Sequence, residues 1–271
     1  MINILGIDHV CISSNKIEND SKKIIKLGYE LLFNEYELPI SNKKKEFLKK
    51  NPTTHNLSFL NSPTCISIEL IDHYEFSNNN STYNLVFDIP KTIDLDFQIM
   101  EKDFLCDLLE FELQSKISKK HIPDLQLSFY EKQTEQLHGL SMIVINYINL
   151  EKASKFWCKF FGFKKIKSSI FHGIKYELLS FLAPVKQWSV NLLLVEGKHH
   201  STISYLDDYG CTCISFLVSS IEDCLKSLRD LDSICVGNSY DINVGGKEIS
   251  LVFLRGLENE IIELIEIKRE K

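Results

Sequence analysis

A chain of 271 residues, 44% hydrophobic and 25% charged, has the composition of an ordinary globular protein and the length for two domains or one large one. A net charge of −6 argues against a nucleic-acid partner, and no apolar run reaches the roughly 18 residues of a membrane span, so no membrane partner is expected. The N-terminus lacks a signal-peptide pattern, and the eight cysteines fall mostly inside apolar periodic segments without a CxxC pair, so reduced thiols and a cytoplasmic location are expected.

The first strand is read in GIDHVCISS, residues 6–14. Alternation places Asp8, Val10 and Ile12 on one face and Ile7, His9, Cys11 and Ser13 on the other, which sets an imidazole in mid-strand. A polar turn and a helix follow in NKIENDSKKIIKLGY, with a glycine as its stop. The basic runs NKKKEFLKK and SKKH read as solvated loop faces. THNLSFL and CISIELID are further strands. Ile66, Ile68 and Leu70 extend the apolar face of Val10 and Ile12, and Cys65, Ser67 and Glu69 extend the mixed face of His9.

This layout recurs. YNLVFDIPK opens a weaker copy spanning about residues 82–135. MIVINYINLEKASKFWCKFFGF gives a third strand and helix, with Leu150, Ala153, Ser154, Trp157 and Phe161 on one stripe and Gly162 as the stop; KYELLSFL and SVNLLLVE follow. CISFLVSSIEDCLKSLRDL gives a fourth, with Ile221, Cys224, Leu225, Leu228 and Leu231 at helical spacing; EISLVFL and IIELIEI follow. A period of roughly sixty to seventy residues is long for a solenoid and suits a duplicated βα unit. The expected fold is therefore α+β, made of tandem βαβββ units in two domains, 1–135 and 136–271.

GIDHVCIS with SIELID, INLEKASKFWCKFFGF, and CISFLVSSIEDCLKSL with ENEIIELIE together resemble the vicinal oxygen chelate superfamily, which includes glyoxalase I, extradiol dioxygenases and the bleomycin-resistance proteins. The resemblance covers about three quarters of the chain and implies glyoxalase-like domains whose paired units curve into cups around a divalent metal. Ligands in such proteins come from the first strand of each unit, usually His, and the last, usually Glu. Carried over, these positions are His9 and Glu69 in the first unit, Met142 and Leu193 in the third, and Cys213 and Glu263 in the fourth. In the second unit the histidine position is Asn84, and the carboxylate position lies near Ser128. Two pairings of units remain open: first with second and third with fourth, or the outer units with each other. Only the latter brings His9, Glu69, Cys213 and Glu263 into one cup.

The resemblance implies a metal site of His9, Glu69, Glu263 and Cys213, with Glu69 and Glu263 as the catalytic carboxylates, and Fe, Zn, Mn or Ni as the ion. Imidazole and carboxylates with open positions can hold two adjacent substrate oxygens, and a carboxylate can move a proton at the neighbouring carbon. The expected activity is a lyase, isomerase or dioxygenase step on a small molecule such as a secondary metabolite, by a monomer or homodimer. The alternative is a metal-free, bleomycin-resistance-like protein that sequesters a small molecule. Of the remaining residues, His55 is a candidate for the cup rim and His172 with Tyr176 for a substrate contact, although HG also marks a hairpin turn. His199 and His200 read as linker, GLENE as a turn, and the phenylalanines around Trp157 as packing.

Overall fold

The computed structural model describes residues 4–76, 82–90, 98–122, 127–135, 139–182, 189–197, 203–228 and 234–268. The first unit runs β1 (Ile4–Ser13), α1 (Ile17–Lys26), β2 (Glu30–Pro39), β3 (Thr54–Asn61), β4 (Ser67–Asp72). The second runs β5 (Asn84–Pro90), β6 (Gln98–Ile99), α2 (Phe104–Leu113), β7 (Ile117–Ile122), β8 (Leu127–Thr134). The third runs β9 (Gly139–Tyr147), α3 (Leu150–Phe161), β10 (Lys164–Phe171), β11 (Ile174–Leu182), β12 (Ser189–Glu196). The fourth runs β13 (Cys211–Val218), α4 (Ile221–Leu228), β14 (Cys235–Val236), β15 (Tyr240–Val244), β16 (Lys247–Arg255), β17 (Ile261–Ile267). No described helix is long and apolar enough to cross a membrane.

Local chemistry explains the best-formed repeat. Asn149 caps α3 by accepting from the Lys152 N–H at 2.9 Å, and Gly162, at φ +75°, ends it in the left-handed conformation that costs a glycine little. The α3 stripe of Ala153, Trp157 and Phe161 is fully buried, as its spacing predicts.

The strands form two curved sheets. One has nine strands, ordered β14-β16-β17-β13-β1-β4-β3-β2 with β15 added on β16; the other has eight, ordered β10-β11-β12-β9-β5-β8-β7-β6. The outer units thus share one sheet, through antiparallel β1 and β13, and the inner units share the other, through antiparallel β5 and β9. Neither sheet stays within 1–135 or within 136–271: each draws one unit from each half of the chain. The physical reason is that the first strand of every unit needs an antiparallel neighbour, and the partners it finds are 1 with 4 and 2 with 3.

Between the sheets lies one continuous apolar core. Val10, Ile12, Ile68 and Leu70 enter it from the first sheet, Leu85, Ile143, Leu192 and Leu194 from the second, and α1, α3 and α4 add Ile24, Trp157 and Cys224. Polar bonds cross it as well. Tyr147 receives the Trp157 Nε1–H at 2.8 Å and donates to Glu260 at 2.5 Å, and Tyr83 donates to the Ile261 carbonyl at 2.7 Å. Glu260, in the GLENE turn, also accepts the Leu257 and Glu258 N–H groups; burial pushes its carboxyl up to about 7.

The outward faces of the two sheets differ. In the second unit the described helix, α2, follows the second strand, and it lies on the concave face. Its Cys106, Leu108 and Leu109 are fully buried against Met142, Val144 and Leu193. Register identifies the carboxylate position of this unit as Tyr130, which lies level with Val86 as Glu263 lies level with Ser215. Tyr130 donates to Asp103, the N-cap of α2, at 2.9 Å. The second cup is therefore packed solid, whereas the first is hollow. Leu109→Ala, which hollows that plug, should cost about 2–5 kcal/mol in urea denaturation; a loss below about 0.5 kcal/mol, the scale of a surface change, would show that α2 does not pack there in solution.

Candidate functional site

The site begins with an irregularity in β1. Its register against β13 shifts between Ile7 and His9. Asp8 is the extra residue, and the bulge breaks the simple alternation: Ile7 turns into the core with Val10 and Ile12, and the Asp8 carboxylate meets His9 Nδ1 at 2.9 Å. Cys65 also departs from the expected face. It precedes β4 and packs in the core, its sulfur 3.1 Å from the Tyr29 hydroxyl.

His9 is 3% exposed and meets the ring of Phe59 edge-on, centroids 5.4 Å apart. Its Nε2 lies 3.4 Å from Glu69 Oε2 and 3.4 Å from Glu263 Oε2. Ser215, opposite His9 in the β1–β13 ladder, stands 2.9 Å from Nε2 and donates to Glu263 at 2.5 Å. The Cys11 thiol donates to Glu69 Oε2 at 3.1 Å. Since the serine proton goes to Glu263, its oxygen is free to accept from Nε2, while Nδ1 faces Asp8. Both ring nitrogens then donate, as in an imidazolium. Burial alone would disfavour that charge, but Glu69 beside the ring and the Asp8 bond outweigh it and hold the His9 pKa well above its usual value. Burial resists charge on Glu69 too, and His9 overrides it, holding the carboxyl down to about 2. Burial pushes the Cys11 and Cys213 thiols up.

Donors roughly 2.0–2.2 Å from one ion stand roughly 3–3.5 Å apart. The spacing from Nε2 to the two carboxylates matches, and ligand atoms of His9, Cys11 and Glu263 lie within 4.8 Å of one another. The residues present therefore fit a divalent cation. Above them opens a cavity of about 500 Å³ with apolar walls that include Phe33, Leu57, Phe59, Leu251 and Phe253.

Of the residues singled out in the sequence, His9, Glu69 and Glu263 come together. Cys213 does not join them at the cavity: it is fully buried opposite Cys11, its sulfur 3.7 Å from the Ile214 carbonyl, and the thiol that faces the cluster is Cys11. His55 lines the cavity. His172 is exposed at the β10–β11 turn, at φ +46° beside Gly173 at +81°, and Tyr176 is buried with its hydroxyl on Glu112 at 2.6 Å. His199 and His200 lie outside the described residues. Sequence reasoning missed the roles of Asp8, Cys11 and Ser215 in the cluster. It also placed Lys44 on a solvated face, yet Lys44 is 6% exposed and lines the cavity. The signal was present in KKKEFLKK: Phe47 and Leu48 are apolar and buried, and the segment carrying them folds inward.

Beside the cavity stand two neutral imidazoles. His55 is held down to about 3, by burial first and then by Lys44, and His73, fully buried with ring centroid 5.7 Å from that of His55, is lowered well below its usual value by the same causes. An unfolded histidine titrates near 6.5, so the unfolded chain takes up these protons first; the stabilisation is complete above about pH 6.5 and is lost as pH falls from there towards 3. His55→Gln should flatten the acid limb of the melting temperature against pH between about 6.5 and 4. An acid limb unchanged by the substitution would mean that His55 protonates freely in the folded protein.

No protein-family model matches this sequence, and no curated protein matches it. Solved structures do. Glyoxalase I from Zea mays superimposes with a TM-score of 0.62 at 12% identity, over 98% of this chain and 92% of that one. A dioxygenase candidate from Bacillus subtilis does so with a TM-score of 0.63 at 9% identity, over 99% and 87%. At such identities the likeness is one of fold. The chain has the vicinal oxygen chelate fold, with its outer two units joined around the hollow cup.

Proposed function

We propose that the chain is an enzyme of the vicinal oxygen chelate type, acting in the hollow cup on a small organic molecule with two adjacent oxygens. The observation that carries this reading is His9 Nε2 at 3.4 Å from the last-strand carboxylates of two different units, on the floor of an apolar cavity. His9, Glu69 and Glu263 would hold a divalent ion, with the Cys11 thiol beside them. When bound, the ion supplies Lewis-acid polarisation of the two oxygens. The chain's own residues do the rest. Apolar walls exclude water and orient the substrate body. Asp8 fixes the His9 ring through Nδ1. Glu69 is assigned to holding charge, since its carboxyl stays ionised down to about 2. Glu263, bonded to the Ser215 hydroxyl, is assigned to moving a proton at the carbon next to the bound oxygens. Proton movement of this kind serves lyases and isomerases, and we place the reaction among them ahead of a dioxygenase step. Unpaired cysteines support a reducing, cytoplasmic setting.

A second reading is a metal-free protein that sequesters its ligand. One observation favours it: His9, Cys11, Glu69, Ser215 and Glu263 already satisfy one another by hydrogen bonds. Metal content separates the two. Protein purified without chelators or a histidine tag, then offered Mn, Zn, Ni and Fe, should retain one of them near-stoichiometrically, and His9→Ala and Glu263→Gln should each lose it. Wild-type protein that retains none would leave the sequestration reading standing.

A further inference from the structure

One wall of the cavity carries a lysine that forms no ion pair among the described residues. Lys44, 6% exposed, lines the cavity and has no carboxylate within 4.0 Å among the described residues; its Nζ rests 5.8 Å from the centre of the Phe253 ring. Next to it His55, 8% exposed, also faces the cavity, and its Nδ1 has no hydrogen-bond partner. Behind His55 both ring nitrogens of the fully buried His73 are likewise unpartnered. Buried imidazole nitrogens are seldom left unsatisfied, because each forfeits its hydration without return. In close contacts the carboxylates of the cup are engaged elsewhere, Glu69 with His9 and Cys11 and Glu263 with Ser215 and His9.

We infer that Lys44 and His55 form the anion-binding end of the cup, and that the molecule it takes is an organic acid: an apolar body bearing a carboxylate that sits on Lys44 and accepts from His55. This rests on the reading of the cup as a small-molecule site and adds the class of molecule. A carboxylate is preferred over a phosphate on charge. The cation at this end is Lys44 alone, since His55, held down to about 3, is neutral at pH 7 and offers a neutral N–H. Asp8, Glu69 and Glu263 already line the same cavity, so a dianion would meet three carboxylates with one ammonium beside it. Lys44 stands on the segment between β2 and β3, next to the 3-10 turn Lys45–Phe47. Backbone bonds from Lys44 N–H to the Ser41 carbonyl and from Leu206 N–H to the Phe47 carbonyl tie that segment down, so the backbone that carries Lys44 is held in place before ligand arrives.

The test uses matched probes at pH 7.5 by titration calorimetry: 4-phenylbutyrate, its neutral amide, and 3-phenylpropylphosphonate. The carboxylate should bind wild-type protein at least about tenfold more tightly than the amide, as a charge-assisted bond in a buried site warrants. Lys44→Met, which keeps the length of the stem, should abolish that preference and leave amide affinity unchanged, and Lys44→Arg should retain it. Equal affinity for acid and amide in wild type, or an undiminished preference in Lys44→Met, overturns the inference while leaving the cup as a binding site. Tighter binding of the phosphonate overturns the choice of carboxylate. Binding of none of the three overturns the cup as a small-molecule site, and the inference with it.

Discussion

Everything at the site depends on one strand pairing, β1 against β13. It sets His9 directly opposite Ser215 and Cys11 opposite Cys213 across an antiparallel ladder. On its outer sides the parallel neighbours β4 and β17 bring Glu69 level with Cys11 and Glu263 level with Ser215. Four strands from chain segments nearly two hundred residues apart thereby place a cation and two carboxylates around a single point. Each of these groups would cost several kcal/mol to bury alone. Held together, and bonded through Ser215, Cys11 and Asp8, they offset one another, and the apolar core on the other face of the same strands supplies the stability that keeps them in register.

The two sheets are a natural comparison, because they share a topology and differ in what occupies the concave face. In the inner pair, Met142, Leu193, Asn84 and Tyr130 occupy the places that His9, Glu69, Cys213 and Glu263 hold in the outer pair, as the matching registers require. Two of those four are apolar, and α2 lies across them. Loss of the polar residues and filling of the cup go together physically: a cup lined by Met142, Val144 and Leu193 gains stability from an apolar plug, whereas one floored by charges would lose it by excluding water from them. Among the described residues the inner pair is thus plugged, and the clustered polar residues of the concave face belong to the outer pair.

The repeat, the α+β class and the C-terminal end of α3 were legible because they rest on local rules: alternation, helical spacing and a glycine stop. His9, Glu69 and Glu263 were singled out by the resemblance to the vicinal oxygen chelate superfamily carried along the repeat, and the fold brings them together. What escaped notice depends on contacts between units. The bulge at Asp8 arises from the β1–β13 register, which no stretch of β1 specifies by itself. Cys11 and Ser215 acquire meaning only when the first and fourth units meet. Cys213 holds the right place in its unit, yet it sits fully buried beside Cys11 on the same face of the ladder, and Cys11 is the thiol that reaches the cavity. Lys44 was hidden by its neighbours: three consecutive lysines look solvated, and only the burial of Phe47 turns one of them inward.

The protonated state of His9 has a consequence for how the cup is used. Glu69 and the Asp8 bond favour a proton on the ring, so a metal ion held here would have to displace it from Nε2. Were an ion held there, the Nε2 proton would have to leave, and Ser215 and Glu263 offer one hydrogen-bonded route away from that nitrogen. Lys44 lines the same cavity. The cup thus sets His9, Lys44 and three carboxylates, Asp8, Glu69 and Glu263, among otherwise largely apolar walls.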